Sequence, residues 1–346
     1  MHQQPDPDLS AFIAGLPKVE LHVHQVGSAS PRIVTELAAR HPEAGVPADL
    51  DALIDYFTFD DFAHFIQVYL SVVDLIRDAE DVRLLTYEVA VELARQQVAY
   101  AELTVTPYTS VVRGIAPEAF VEAIDDARTA ALRDHGIELQ WIFDIPGESG
   151  IPAAETTCEI AVDLGSQALI GFGLGGPEIG VPRPQFRPYF DRARAAGLHS
   201  LPHAGETTGP QTILDALDVL GAERIGHGTS AAHDQQLLAR LAEAGIALEV
   251  CPTSNVATGA VSELAAHPLP QLVEAGVTVT INSDDPPMFG TCLNREYEIA
   301  ADLLGLDQHG VAELARTAVR ESFASAETKR RILADIDAYT LRAGRR

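Results

Sequence analysis

Two histidines two residues apart, His22 and His24 in the stretch PKVELHVHQVG from Pro17 to Gly27, are where this sequence first offers chemistry. In a strand, side chains at i and i+2 lie on one face, so Glu20, His22 and His24 share one side and Val19, Leu21 and Val23 the other. Two imidazoles at the end of an apolar run make half of a metal site, although an isolated pair also suits a solvated edge. Three later stretches offer the other half: HAGE (His203 to Glu206), RIGHG (Arg224 to Gly228) and INSDDP (Ile281 to Pro286). Each again sets His or Asp at the end of a run that reads as a strand.

Brought to one place, these strand ends have the donors that Zn²⁺ favours. Three imidazoles and a carboxylate drawn from His22, His24, His203, His227, Asp284 and Asp285 would hold one ion per chain and leave a position for water. A hard cation would call for more carboxylates and carbonyls. The only two lysines, Lys18 and Lys329, stand away from any strand's C-terminal end, which disfavours a two-metal centre bridged by a carboxylated lysine. Bound Zn²⁺ lowers the pKa of its water from about 15.7 to about 7, so metal-assisted hydrolysis gives the remaining residues work. Glu206, three residues after His203, can donate a proton to a ring nitrogen under attack without binding the metal. His227 could orient the activated water or share its proton, and of Asp284 and Asp285 one can ligate while the other turns to the substrate. Taken singly, Glu206 or Asp285 could equally cap a helix; the matched set at strand ends is what argues for a site. Gly173, Gly175 and Gly176 leave room for backbone to approach a flat ring, and Cys251 reads as a small buried hydrophobe.

The elements that must carry these residues alternate along the chain. Short apolar runs at Val19 to Val23, Tyr100 to Val105, Glu138 to Phe143, Ala168 to Leu174, His199 to Pro202, Arg224 to Gly226, Ile246 to Val250 and Val277 to Ile281 read as strands. Between them lie helix-period stretches such as Pro117 to Arg133, Pro184 to Ala196, Gln211 to Leu220 and Asp234 to Ala244. Strand and helix alternating in this way predict an α/β fold, a (β/α)8 barrel in one domain over residues 1–346, with the active site at the strands' C-terminal ends. Glu296 to Leu304, Gly310 to Phe323 and Ala326 to Tyr339 read as extra closing helices. One connection, residues 25–98, is far too long for a loop and reads as a helical lid over the mouth. Ser30 and Pro31 open its first helix as N-cap and first helical residue, Thr58 and Asp61 have capping-box spacing, and Asp81 onward reads as a third helix. Phe62, Phe65 and Tyr69 recur at helical spacing and either fasten this lid or line an apolar substrate pocket.

Composition bounds the partners. A count of 24 basic and 50 acidic residues gives a formal net charge of −26, which repels nucleic acid and anionic membrane surfaces. Three cysteines, Cys158, Cys251 and Cys292, form no disulfide framework, and with no leader-like start or long apolar run the expectation is a cytoplasmic protein acting on a small molecule.

From about Leu16 to about Tyr339 the motifs PKxELHxH, HAGE, RIGHG, CPTSN and SDDP stand in the order of the adenosine deaminase family of amidohydrolase barrels, which the chain resembles. That resemblance implies Zn²⁺ ligation by His22, His24, His203 and Asp284. It also implies Glu206 as proton donor to purine N1, His227 as partner of the metal's hydroxide, Asp285 as a contact to N7 and Gly176 as an amide donor to N3. The departures bear on substrate. Where the family usually carries Leu-Asp-Gly or Leu-Glu-Gly, whose acid can bind the ribose 5′-hydroxyl, this sequence has Gln25-Val26-Gly27. Val26 cannot make that bond and instead welcomes a carbon or sulfur substituent. The HxHxVGSASPR and FGLGGPEIG stretches resemble actinobacterial 6-aminodeoxyfutalosine deaminases of menaquinone biosynthesis, whose substrate bears a benzoate-carrying chain in place of the 5′-hydroxyl. A benzoate needs a cation at the mouth of so acidic a protein; Arg32 is the expected one, with Arg113 the alternative. Deaminases of adenosine or 5′-methylthioadenosine, and a nucleoside-binding protein without turnover, remain competing readings.

Overall fold

All eight apolar runs become strands in the computed structural model, which describes residues 6–57 and 62–344, the side chains of 62–66 excepted. They are β1 (Lys18–His24), β2 (Val98–Val105), β3 (Glu138–Pro146), β4 (Leu169–Gly175), β5 (His199–Ala204), β6 (Arg224–His227), β7 (Ala247–Val250) and β8 (Val279–Ile281). Each pairs in parallel with the next, in sequence order. Most of their residues are buried, as expected for parallel strands enclosed by helices.

Closure between β8 and β1 is brief. β8 has three residues, so the seam is made by one bridge, Val23 to Asp284, with the His24 amide donating to the Asp284 carbonyl and the Asp284 amide to the His22 carbonyl, both at 3.0 Å. Side chains complete it: the Leu21 amide donates to Asn282 Oδ1 at 3.1 Å, and the Ser283 amide to Glu20 Oε1 at 2.7 Å. Three of the residues expected to bind metal therefore also close the barrel.

Among the described residues, four α-helices and a short 3-10 turn, Pro42–Ala44, fill the long connection after β1, following a first helix, α1 (Pro7–Gly15), that lies ahead of the barrel. They are α2 (Pro31–Arg40), α3 (Leu50–Tyr56), α4 (Phe62–Val73) and α5 (Ala79–Arg95). Ser30 caps α2 by accepting from the Ile33 amide, with Pro31 in the first turn, as its sequence predicts. The capping box expected from Thr58 and Asp61 falls outside the described residues; one is found instead at Asp78 and Asp81, opening α5. Asp81 is fully buried and binds Arg40 Nε at 2.6 Å and His41 Nε2 at 2.7 Å, which pins the end of α2 to α5.

Of the outer helices, Pro117–His135, Gln235–Ala244, Leu293–Leu304, Gln308–Glu321 and Ala326–Ala343 follow the sequence pattern closely. The stretch expected as Pro184 to Ala196 divides into a 3-10 turn, Arg183–Phe186, and a helix, Arg187–Ala195; that expected as Gln211 to Leu220 ends in a π turn, Ala216–Leu220. Among the described residues, no helix is long and apolar enough to cross a membrane.

Candidate metal centre and active site

His22, His24, His203 and Asp284 converge at the strands' C-terminal ends, one ligand atom from each lying within 4.8 Å of the others. His24 Nε2 is 3.2 Å from His203 Nε2 and 3.2 Å from Asp284 Oδ1, which is 3.5 Å from His22 Nε2. His22 Nε2 is buried and has no hydrogen-bond partner among the described residues. Two imidazole nitrogens facing each other can share at most one proton, and a buried, unpaired third is costly. One cation at the centre satisfies all four atoms, so the residues fit the metal that their types imply.

The atoms behind this set fix which lone pairs face inward. His22 Nδ1 donates to Glu249 Oε2 at 2.8 Å and His203 Nδ1 to the Leu174 carbonyl at 3.0 Å, so each ring presents a bare Nε2 to the centre. Ser254 donates to Asp284 Oδ2 at 2.6 Å and leaves Oδ1 for a metal. Glu249 is anchored in turn by the buried Arg224, whose Nε donates to it at 2.6 Å and whose Nη2 donates to Glu102 at 2.5 Å. Burial disfavours charge on His22, but the carboxylates of Asp284 and Glu249 outweigh it and move the imidazole up to about 10. Burial likewise opposes ionisation of Asp284, yet the imidazoles of His22, His24 and His227 around it hold it well below the usual carboxylate range. This is a field built around a positive charge.

Beside the ligands stand the acid-base groups. Burial, helped by the Asp284 charge, pushes Glu206 up to about 7, so its carboxyl can carry a proton near neutrality. Thr258 Oγ lies 2.8 Å from Glu206 Oε1 and 3.0 Å from the Ser254 carbonyl. That hydroxyl has one proton: given to Ser254, it accepts from a protonated Glu206; given to Glu206, it stabilises the carboxylate. It therefore serves both states of a residue that passes a proton. His227 Nε2 is 3.6 Å from Glu206 Oε2, and burial pushes this imidazole down to about 4, leaving it neutral.

The backbone is forced where these side chains turn inward. His227 and Asp284 adopt left-handed φ values of 61° and 65°, unusual for residues with a Cβ and typical of sites whose surroundings over-determine them. Asp285, the next residue, is lifted to about 7 by burial and by Asp284, and its Oδ1 is buried with no hydrogen-bond partner among the described residues. It lies directly over Gly27: a Cβ there would fall 1.4 Å from that oxygen, so only glycine permits the approach.

The other expected residues divide. Gly176 follows β4 beside Glu148, and Val26 is half-buried between Gln25, which donates to Thr86 at 2.5 Å, and Gly27. Tyr69 of α4 senses the site: burial and then the charges of Asp285, Asp144 and Asp284 raise its phenol well above the ordinary value. Phe62 and Phe65 belong to α4, but their side chains lie outside those described. Arg32 is already engaged by carboxylates. Its guanidinium meets Glu88 at 2.7 Å, Glu92 at 3.2 Å and Glu36 at 3.3 Å, and three carboxylates around one cation repel an incoming benzoate. Arg113 meets one carboxylate among the described residues, donating to Asp74 at 2.7 Å, and also donates to the Thr109 carbonyl at 2.9 Å. The sequence alone does not single out Glu249, Ser254, Asn255 or Thr258; the first three lie in LEVCPTSN, a stretch that carries the resemblance through CPTSN and in which Cys251 is buried as expected.

The chain as a whole is similar to known deaminases. The adenosine deaminase family profile matches residues 17–339. An aminodeoxyfutalosine deaminase of Streptomyces avermitilis is 68% identical over 96% of this chain and 94% of its own length, and one of Streptomyces coelicolor is 67% identical over 96% and 87%. Among solved structures, an adenine deaminase from Arthrobacter aurescens superposes with a TM-score of 0.87 at 30% identity, covering 94% of this chain and 100% of that one. With the family profile spanning the barrel from β1 to the last helix, this chain belongs to the adenosine deaminase family.

Proposed function

We propose that this protein hydrolyses the 6-amino group of 6-amino-6-deoxyfutalosine, releasing ammonia and futalosine, with one Zn²⁺ per chain held by His22, His24, His203 and Asp284. The observation that carries the substrate is identity of 67 to 68% along nearly the whole chain with aminodeoxyfutalosine deaminases, against 30 to 38% with adenine deaminases. When bound, the metal supplies a water acidic enough to act as nucleophile at neutral pH. Glu206, protonated by virtue of its burial, gives its proton to purine N1 as water adds at C6, passes one of that water's protons to the departing amine, and recovers the other as the C6 carbonyl forms. Asp285, with an unpaired oxygen over Gly27, faces N7, and the Gly176 amide meets N3. His227 holds the water in line. Val26 leaves the 5′ side apolar, and α4, with Tyr69 near the site carboxylates, closes over the mouth as a lid. Arg113, tied to one aspartate rather than three glutamates, is the cation we assign to the benzoate. Three unpaired cysteines support a cytoplasmic setting. The test is the ratio of kcat/KM for aminodeoxyfutalosine, adenosine and 5′-methylthioadenosine measured side by side. A preference for adenosine overturns the substrate; no purine deamination by zinc-loaded protein overturns the reaction.

A further inference from the structure

Behind His227, on the side away from the metal ligands, a line of hydrogen bonds runs outward to a backbone amide. His227 Nδ1 lies 3.2 Å from Asn255 Nδ2, Asn255 Oδ1 lies 3.2 Å from His267 Nε2, and His267 Nδ1 lies 3.1 Å from the amide nitrogen of Leu269. Asn255 is fully buried and His267 nearly so, so no bulk water substitutes for these partners. Three more donors and acceptors would be ambiguous on their own. The last member is not, because a backbone N–H can only donate.

That fixed donor decides every proton upstream. Leu269 N–H requires His267 Nδ1 to be a bare acceptor, so the His267 proton sits on Nε2 and is given to Asn255 Oδ1. Asn255 is thereby held with its amide nitrogen toward His227, and an amide N–H can only donate. His227 Nδ1 must then accept, and the single ring proton of His227 sits on Nε2, on the side of Glu206 at 3.6 Å and Asp284 at 3.9 Å. Burial pushes His267 down to about 4, which keeps it the neutral ring that this alternation needs. Resting on the deaminase reading above, we infer that Asn255 and His267 are positioning residues that lock His227 as the Nε2–H tautomer, making it a hydrogen-bond donor to the attacking water and leaving Glu206 to take that water's proton.

The consequence for the reaction is specific. A neutral His227 with its proton already on Nε2 has no lone pair facing the water, so it cannot act as the base. It aims the water instead. Were Asn255 free to rotate its amide, Oδ1 would face His227, the proton would move to Nδ1, and Nε2 would present a lone pair that competes for the water's proton.

The test is nitrogen NMR of the zinc-loaded full chain, labelled with ¹⁵N in histidine, with the His227 ring assigned by comparison with His227→Gln. In the wild-type protein Nε2 of both His227 and His267 should carry the proton and both Nδ1 atoms should be bare. His267→Leu removes the donor to Asn255, and the His227 ring should then shift toward the Nδ1–H form, with kcat falling at least about tenfold and KM and zinc content unchanged. His267→Gln, whose amide can still donate to Asn255 Oδ1, should restore the wild-type ring signals and most of kcat. A wild-type His227 protonated on Nδ1 overturns the inference whether or not any variant folds. So does a His227 ring that keeps its Nε2 proton in His267→Leu, or an equal loss of kcat in the leucine and glutamine variants. Wild-type ring signals as expected, in an enzyme that proved to deaminate another purine, would refute the proposed substrate and leave the relay standing.

Discussion

Glu206 is the residue whose environment most directly states its role: a carboxyl lifted to about 7 by burial, with a threonine hydroxyl able to serve either protonation state. Glu206→Gln keeps shape and loses the acid, so kcat should fall by about 10² to 10⁴ while substrate binding and zinc content hold. Near-normal turnover would assign the proton to another group. The arginines give a second, contrasting pair. Arg113→Ala should raise KM for the carboxylate-bearing nucleoside about ten- to a hundredfold and leave 5′-methylthioadenosine unaffected, the loss expected of a charged hydrogen bond. Arg32→Ala leaves Glu36, Glu88 and Glu92 facing one another and should lower the melting temperature, with equal effects on both substrates. Equal substrate effects from Arg113→Ala would remove the benzoate assignment. At this scale the sequence spoke through residue type at strand ends. His22, His24, His203 and Asp284 stand out because imidazole and carboxylate are rare where a buried run stops. Asn255 and Thr258 do not stand out, since an amide and a hydroxyl in a loop are ordinary until the atom they bind is known. For Arg32 the helix position is readable in the sequence, while the carboxylates of α5 that reach it are not.

At the level of elements, the strands were readable because a parallel barrel demands continuous apolar runs, and the turns after them because His or Asp and then glycine break those runs. What was not readable is how elements meet. Gly27 looks like a strand terminator in sequence; in the fold it is the floor under Asp285, which follows β8, the strand that closes against β1. Gly27→Ala would put a methyl carbon into the Asp285 carboxyl, and a shift of that group should cost about a hundredfold in kcat/KM with the fold retained by circular dichroism. Unchanged kinetics would separate Asp285 from the substrate. The opposite end of β1 offers a prediction about stability. Lys18 is buried where α1 meets β1, its Nζ donating to the carbonyls of Ile13 and Leu16, both at 2.7 Å. Burial pushes this amine down from 10.5 to about 7. Between those pH values the unfolded chain binds the proton that the folded chain has lost, so unfolding becomes harder as pH rises, by at most about 1.4 kcal/mol per pH unit. Urea titrations of wild type and Lys18→Met across that window should show the rise only in the wild type. Parallel curves would mean that Lys18 keeps its proton in the folded state.

For the whole molecule, the metal site and barrel closure are one structure. Every other strand pair is joined by a ladder, but β8 meets β1 through a single bridge at Asp284, and the side chains flanking that bridge are three of the four converging ligands. The fourth, His203, comes from β5, so an ion bound here ties the seam to the opposite wall. The same place concentrates cost: a left-handed Asp284, an unpaired His22 Nε2, and a carboxylate field in a chain of net charge −26. A cation answers all three. Binding to the folded state alone stabilises by RT ln(1 + [L]/Kd), about 4 kcal/mol at a thousandfold excess over Kd. Elemental analysis of the purified protein should therefore find one divalent ion per chain, and its removal by chelation should lower the melting temperature and abolish deamination together, with zinc restoring both. Because the closure is local, hydrogen exchange in the stripped protein should quicken first at the amides of His24 and Asp284, which bond across the seam, and least in the ladders from β2 to β4. Asp284→Asn should reproduce that local opening without chelator. Exchange that quickens evenly around the barrel, or a melting temperature indifferent to the ion, would mean that the metal is held elsewhere and that the seam closes without it.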